Sequence, residues 1–361
     1  MNDFPKLHIN LEKIRRNTKR IVDIAKQSGI ELVGVTKASC GDPIVGKAML
    51  DGGALGLADS RISNIKRLKE RLPEVSCMLL RSPMISEIPQ VIKYADSSIN
   101  TELTVIEALS KEAEKQGKIH KILLMAELGE LREGIVSNEF NDILSYVQST
   151  DSLHLLGIGM NLTCFSGVIP TEQKIDEFLH LIKSIEQDFG IKFKVISGGN
   201  TANIPRLAKK PYPSRINQLR VGEGILLGRE TIHRTAIDQT FQDAFVLEAE
   251  LIEVKKKPSV PDGELTENAF GEKPVFEDQG EIIRGIAAIG MQDTILDDLI
   301  PCDNTISVLG GSSDHLLLKI PNQQYSVGDT VFFIPKYGAL VHLFTSDYVH
   351  KAYDSMDCTK Q

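Results

Sequence analysis

Short apolar runs alternate with longer amphipathic stretches through the first two thirds of the chain. The runs fall at 32–35, 54–58, 77–80, 98–100, 122–126, 155–161, 193–197 and 219–222. Most are near-continuously apolar and of strand length, the pattern of parallel strands covered on both faces. Between them, apolar residues at helical spacing predict helices over 60–71, 102–116, 139–147 and 175–189, and an earlier one carrying Leu11, Ile14, Ile21, Ile24 and Ala25. Eight strands alternating with helices predict an α/β fold with a closed N-terminal (β/α)8 TIM barrel. The same alternation also fits an open doubly wound sheet.

The texture changes after about residue 235. Runs at 246–254, 282–289, 305–310, 315–320, 330–334 and 339–344 are short, β-rich and punctuated by Gly, Pro and Asp. They predict a C-terminal all-β domain over 236–361, following a barrel over 1–235. The extended stretch at 6–9 is free to join the β-domain. Residues 255–280, which include PSVPDGELTENAFGEKP, read as a long loop.

Composition narrows the function classes. A formal charge of −8, from 41 Lys and Arg against 49 Asp and Glu, disfavours a nucleic-acid or membrane surface and suits a small-molecule site. Cys40, Cys77, Cys164, Cys302 and Cys358 form no CxxC pair. So sparse a set argues against a disulfide scaffold or a zinc site, and no metal is expected. No run is long and apolar enough for a signal peptide or a membrane span, so a cytoplasmic protein is expected.

Ligands of a (β/α)8 barrel sit at the C-terminal ends of its strands, which makes the polar residues there informative. Lys37 stands just past the end of ELVGV, the first barrel strand, with only Thr36 between. An amine in a partly desolvated pocket loses some preference for the ammonium form and can condense with an aldehyde. Asp59, Arg81, Arg132, Asn161 and Thr163 follow the second, third, fifth and sixth strands. SGGNT (Ser197, Asn200, Thr201) follows the seventh, and RVGEG (Arg220, Gly222) the eighth. Glycine-containing turns at the seventh and eighth strand ends are a common phosphate site in this fold.

In order along the chain, VGVTKAS, LGELREG, SGGNTA, LRVGEGILLG and GGSSDHLLL resemble segments of the alanine racemase-like (fold-type III) pyridoxal-phosphate enzymes. The resemblance covers almost the whole chain. VTKAS, ADSRI, LLRSPM, MNLTCFSGVIP, RVGEGILLGRET and AIGMQD bring it closer to a branch acting on ornithine. The resemblance implies an amino-acid racemase with pyridoxal phosphate carried on Lys37. It implies Arg132 at the cofactor phenolate oxygen, Arg220 at its ring nitrogen, and Thr201, Gly222 and Tyr337 at its phosphate. Asn161, Ser197 and Asn200 complete the expected cofactor set. It also implies a homodimer in which the β-domain of one copy completes the site of the other.

One position departs from the family pattern. Met291, in IGMQD, stands where the family places the tyrosine that serves the second face of the substrate. A thioether cannot exchange protons, so Asp314 and His315 are the candidate acid/base groups there. A basic substrate would also need a carboxylate for its distal ammonium, with Glu223, Asp293, Asp314 and, more weakly, Asp59 as suppliers. The alternative activities are a racemase of another basic amino acid such as lysine, and a decarboxylase or lyase of the same fold. The β-rich C-terminal part argues against a barrel-only cofactor carrier.

Overall fold

The computed structural model describes residues 4–212, 215–268, 270–271, 273, 275–321 and 324–356. The chain divides into two compact units, Glu12–Gln242 and Met1–Leu11 with Asp243–Gln361. It begins with strand β1 (Lys6–Ile9), which belongs to the second of these, and helix α1 (Leu11–Lys26).

Eight parallel strands then close on themselves: β2 (Glu31–Val35), β3 (Gly56–Asp59), β4 (Cys77–Leu79), β5 (Ser97–Asn100), β6 (His120–Met125), β7 (Leu153–Gly159), β8 (Val195–Ser197) and β9 (Gln218–Val221). The pairing of β2 with β9, Leu32 opposite Leu219 and Val33 opposite Arg220, shuts the barrel and excludes the open sheet. Helices α2 (Pro43–Asp51), α3 (Ile62–Arg71), α4 (Ile88–Tyr94), α5 (Leu103–Lys115), α6 (Phe140–Gln148), α7 (Glu172–Phe189), α8 (Ile204–Leu207) and α9 (Glu223–Leu227) lie between or after the strands.

Val33, Ala58, Met78, Ile99, Leu123 and Met125 form a buried cluster of residues from successive strands. Close-packed side chains of this kind make a TIM barrel a filled core and confine its chemistry to the rim. Where strands must approach, glycine is required. A Cβ on Gly157 would lie 1.9 Å from the Val195 carbonyl oxygen of the adjacent strand β8.

The other unit is an eight-stranded sheet. Strands β10 (Phe245–Pro258), β11 (Glu281–Ala287), β12 (Leu299–Pro301), β13 (Ser307–Gly311), β14 (Leu316–Lys319) and β15 (Thr330–Pro335) follow the order β12-β15-β10-β11-β14-β13, all antiparallel. β1 pairs antiparallel with β10 and parallel with β16 (His350–Ala352). Hence the extended stretch at 6–9 lies in this sheet.

Three sequence expectations change. Residues 339–344 are not a strand but part of helix α10 (Tyr337–Thr345). Ala339, Leu340, Leu343 and Phe344 are its buried residues, and their spacing of three and four is that of a helix face. The predicted loop at 255–280 begins later, because Lys255, Lys256, Lys257 and Pro258 still pair with Arg284, Ile283, Ile282 and Glu281. The expectation against a disulfide scaffold meets one exception: Cys302 is disulfide-bonded, whereas Cys40, Cys77 and Cys164 are not. Among the described residues no cluster suited to a metal occurs, and no helix is long and apolar enough to cross a membrane.

Candidate active site

Lys37 opens a single 3-10 turn, Lys37–Ser39, immediately beyond β2, and its residue is exposed at the strand end. The turn is fixed from below. The Thr36 hydroxyl donates to Asp59 Oδ2 at 2.8 Å, while Asn64 Nδ2 and the Arg61 N–H donate to Asp59 Oδ1 at 2.9 and 3.1 Å. Gly41 closes the turn in the left-handed region, where a Cβ would stand 2.6 Å from Asn64 Cβ. The residue before the lysine, the end of β3 and the first turn of α3 are thus one hydrogen-bonded unit.

This corrects the expectation for Asp59. It is fully buried, with both oxygens engaged by the protein. It holds the lysine turn and offers nothing to a substrate ammonium. Burial raises its pKa, against the lowering effect of its hydrogen-bond donors.

Across the barrel mouth, Arg220 on β9 is buried, and its guanidinium reaches over β8 to β7. Nη1 donates to the Ser197 hydroxyl and Nη2 to the Met160 carbonyl oxygen at 3.0 Å. Both protein partners are neutral. Burial, and then the nearby Arg132 charge, push its pKa down to about 10, which still leaves it cationic at neutral pH. Arg132, on the loop after β6, pairs with Glu133 and donates to the Cys164 sulfur.

The two glycine turns are joined. The Gly224 N–H donates to Thr201 Oγ1 at 3.2 Å, and the Arg220 N–H to the Gly199 carbonyl at 2.9 Å. The Thr201 hydroxyl proton therefore remains available to another acceptor. Asn200 bridges inward: Nδ2 donates to Asn161 Oδ1 at 3.2 Å and to the Leu162 carbonyl at 2.7 Å, and its Oδ1 accepts from the Ala202 N–H at 2.9 Å. Gly222 allows β9 to close on β2, since a Cβ there would lie 3.1 Å from Val35 Cβ. Glu223 pairs with Arg234. Burial raises its pKa, while the positive charges of Arg234 and Lys37 pull it down.

The barrel thus brings Lys37, Arg132, Asn161, Ser197, Asn200, Thr201, Arg220 and Gly222 to the C-terminal rim of one unit. Tyr337, at the start of α10, and Asp314 and His315, on the turn between β13 and β14, belong to the other unit. Within it, the Met291 N–H donates to the Ser312 carbonyl at 2.9 Å, and Ser312 Oγ lies 3.1 Å from His315 Nδ1. The IGMQD turn and the SSDH turn are therefore in direct contact. Asp293 is buried and accepts from the Ser346 hydroxyl at 2.6 Å, whereas Asp314 is exposed.

Sequence reasoning passed over two anchors, Thr36 and Glu130. Thr36 had a readable signal, a hydroxyl beside the strand-end lysine. Glu130 sits inside LGELREG but bonds to backbone N–H groups, which carry no residue-specific mark.

In chemical terms, the rim presents an amine, two guanidinium groups, a hydroxyl with a spare proton and glycine turns. It suits a small anionic ligand that carries a carbonyl and a hydrogen-bond acceptor for Arg220. A (β/α)8 barrel with such a lysine, followed by a separate antiparallel sheet, defines a class of two-unit barrel enzymes. The chain belongs to the family described as alanine racemase, N-terminal domain, whose model matches residues 9–230. It is 38% identical over 351 residues to the ornithine racemase of Acetoanaerobium sticklandii, covering 96% of this chain and 99% of that protein. It is 37% identical over 352 residues to the lysine racemase of Thermotoga maritima, covering 97% and 99% respectively. Among solved structures, alanine racemase from Bacillus anthracis with bound L-Ala-P superposes with a TM-score of 0.76 over 98% of this chain and 96% of that one. Its 15% identity makes this a likeness of fold.

Proposed function

We propose that the chain is a pyridoxal-phosphate-dependent racemase that interconverts the enantiomers of a basic amino acid, ornithine first and lysine second. The observation that carries this reading is the pairing of the strand-end Lys37 with the buried Arg220, in a chain similar over nearly its whole length to an ornithine and a lysine racemase. The near-equal identities to those two relatives are what support keeping both substrates.

The donor set fits the cofactor. Lys37 would carry its aldehyde carbon. Thr201, Gly222 and Tyr337 would hold its phosphate, Arg132 its phenolate oxygen and Arg220 its ring nitrogen, with Asn161, Ser197 and Asn200 fixing these groups. Bound there, the cofactor supplies an electron sink for the charge left when a proton leaves the α-carbon of an amino acid.

The chain's own residues do the rest. Arg220 is cationic and donor-only, so it would hold the cofactor's ring nitrogen as an acceptor and oppose its protonation. That limits the sink and favours return of the proton over deeper rearrangement. Lys37 Nζ takes and returns the α-proton on one face. His315, with Asp314 beside it, serves the opposite face in place of the tyrosine absent at Met291. The protein works in the cytoplasm as a homodimer, the β-rich residues from 236 onward of one copy completing the site of the other.

The test is direct. Purified protein supplied with pyridoxal phosphate is offered each L- and D-amino acid, and loss of optical activity is followed. Basic amino acids are expected to racemise in both directions. Release of CO2 or ammonia with no change of configuration would overturn the reading in favour of a decarboxylase or lyase.

A further inference from the structure

Glu130 is buried in the LGELREG turn, and its side chain makes no ion pair among the described residues. One carboxylate instead collects five backbone N–H groups from a single downstream segment. Oε1 accepts from Cys164 at 2.6 Å, Phe165 at 2.5 Å and Ser166 at 3.1 Å, and Oε2 from Thr163 and Val168, both at 3.1 Å. The Ser166 hydroxyl donates to the Glu130 carbonyl at 2.6 Å. These donors favour the ionised carboxylate strongly enough to overcome burial and hold its pKa low.

The conformation at either side of this carboxylate is costly. Leu131 and Thr163 both have positive φ, 55° and 56°, a region non-glycine residues enter only when their surroundings enforce it. Thr163 is β-branched, and its N–H is one of the five donors. At Thr163 the Glu130 carboxylate takes the N–H, whereas the Leu131 N–H goes to Glu127 Oε1 at 3.2 Å. Within the gathered segment Phe165 is 74% exposed and Val168 half-buried, and the Thr163 hydroxyl donates to the Val168 carbonyl at 2.7 Å, so the carboxylate supplies most of its polar contacts to the LREG turn.

The gathered segment reaches Arg132. Cys164, whose N–H is bound by Glu130, presents its sulfur to Arg132 Nη1, and Glu133 holds the other side of that guanidinium. We propose that Glu130 is a positioning residue, which folds segment 163–168 against the LREG turn and thereby sets where the Arg132 guanidinium stands at the barrel mouth. Its catalytic consequence rests on the reading of Arg132 given above; the loop assignment does not.

Two measurements separate those parts. The first needs neither cofactor nor turnover: the alkylation rate of Cys164, read on its own peptide by mass spectrometry, in wild type and Glu130→Gln. An amide offers one acceptor and turns its NH2 against N–H donors, so the segment should open and the rate rise by about tenfold or more. An unchanged rate would overturn the proposal. Should Glu130→Gln not fold, Glu130→Asp, which keeps the charge and shortens the reach, is expected to change the rate in the same direction, and an unchanged rate there overturns it equally.

The second is a double-mutant cycle on kcat for the holoenzyme with Glu130→Gln and Arg132→Lys. Action through Arg132 predicts that Glu130→Gln costs kcat about tenfold or more alone and little in the Arg132→Lys background. Additive losses would mean a merely structural role and overturn the positioning assignment. An Arg132→Lys variant with full kcat would overturn the reading of Arg132, while the thiol measurement would still decide the loop.

Discussion

Gly159 on β7 and the Arg220 guanidinium on β9 occupy neighbouring space: a Cβ built on Gly159 would stand 3.4 Å from Arg220 Nη1 and 3.0 Å from Leu123 Cδ2. The cation crosses the barrel mouth because the strand two places away has no side chain there. Ser197 on the strand between, and the Met160 carbonyl beyond, then take its N–H groups.

A side chain at 159 should therefore act on Arg220 before it acts on the fold. Gly159→Val forces extra carbons into a packed layer, a cost of about 1–3 kcal/mol. The expected outcome is a melting temperature lower by several degrees and a disproportionate loss of racemisation. Gly159→Ala, whose contact with Nη1 is ordinary, should fall between. Thermal unfolding and turnover on the same samples check this, and full turnover in Gly159→Val would show that the placement of Arg220 does not matter.

His120 makes a pH prediction away from the site. It is buried at the start of β6, with Nε2 2.9 Å from Ser98 Oγ, and burial pushes its pKa from 6.5 down to about 4. The native state therefore resists protonation that the unfolded chain accepts. The stability this histidine contributes is fully present above pH 6.5 and is lost as pH falls from 6.5 towards 4, amounting to about 3 kcal/mol. Urea unfolding at pH 7.5 and pH 5 should show a drop that is smaller in His120→Gln. An equal drop in both proteins would refute it.

How far the sequence reaches is clear at particular residues. Barrel strands and the rim position of Lys37 are legible because each depends on a local apolar run and the residue that ends it. The short run at 339–344 misleads, since six apolar-rich residues fit a buried strand or a helix equally well. The pairing of Lys6 with His350 and of Ile9 with Phe245 joins residues hundreds of positions apart, and no local pattern encodes it. Asp59 reads as one more acid at a strand end, but only its burial beneath Thr36 and Asn64 reveals its part. Glu130 is hidden for a related reason: its partners are peptide N–H groups, which every residue but proline supplies.

Asn17 illustrates a third kind of hidden anchor, a polar residue on the buried face of α1. Its Nδ2 donates to the Ile225 and Phe241 carbonyls at 3.0 and 2.8 Å, and its Oδ1 accepts from the Phe241 N–H at 2.7 Å. The helix α9 that follows the RVGEG turn is tied to α1 through this one amide. Asn17→Leu keeps a similar volume but strands three backbone groups, the buried Ile225 carbonyl at about 1–3 kcal/mol and the two part-buried groups of Phe241 at less, before relaxation. A net loss of about 3 kcal/mol in chemical denaturation is expected, and a variant as stable as wild type would show that the amide is dispensable.

The opposite face of the substrate gives the sharpest kinetic prediction. Met291 cannot exchange a proton, yet its N–H is bonded to Ser312, whose hydroxyl lies against His315. The turn with Met291 in place of a tyrosine is thus in contact with a turn that carries an imidazole, a side chain able to donate and to accept a proton. Two bases on two faces serve the enantiomers unequally: each takes the α-proton from one enantiomer, and the other base then delivers a proton on the opposite face. His315→Gln should therefore slow racemisation in both directions by about 10²–10⁴-fold, as expected when a positioned acid/base group is removed. Exchange of the α-proton with deuterated water should survive on the enantiomer whose proton faces Lys37 and fail on the other. Lys37→Ala should abolish both. Equal exchange on both enantiomers in His315→Gln, with racemisation intact, would remove His315 and pass the role to Asp314, where Asp314→Asn repeats the test.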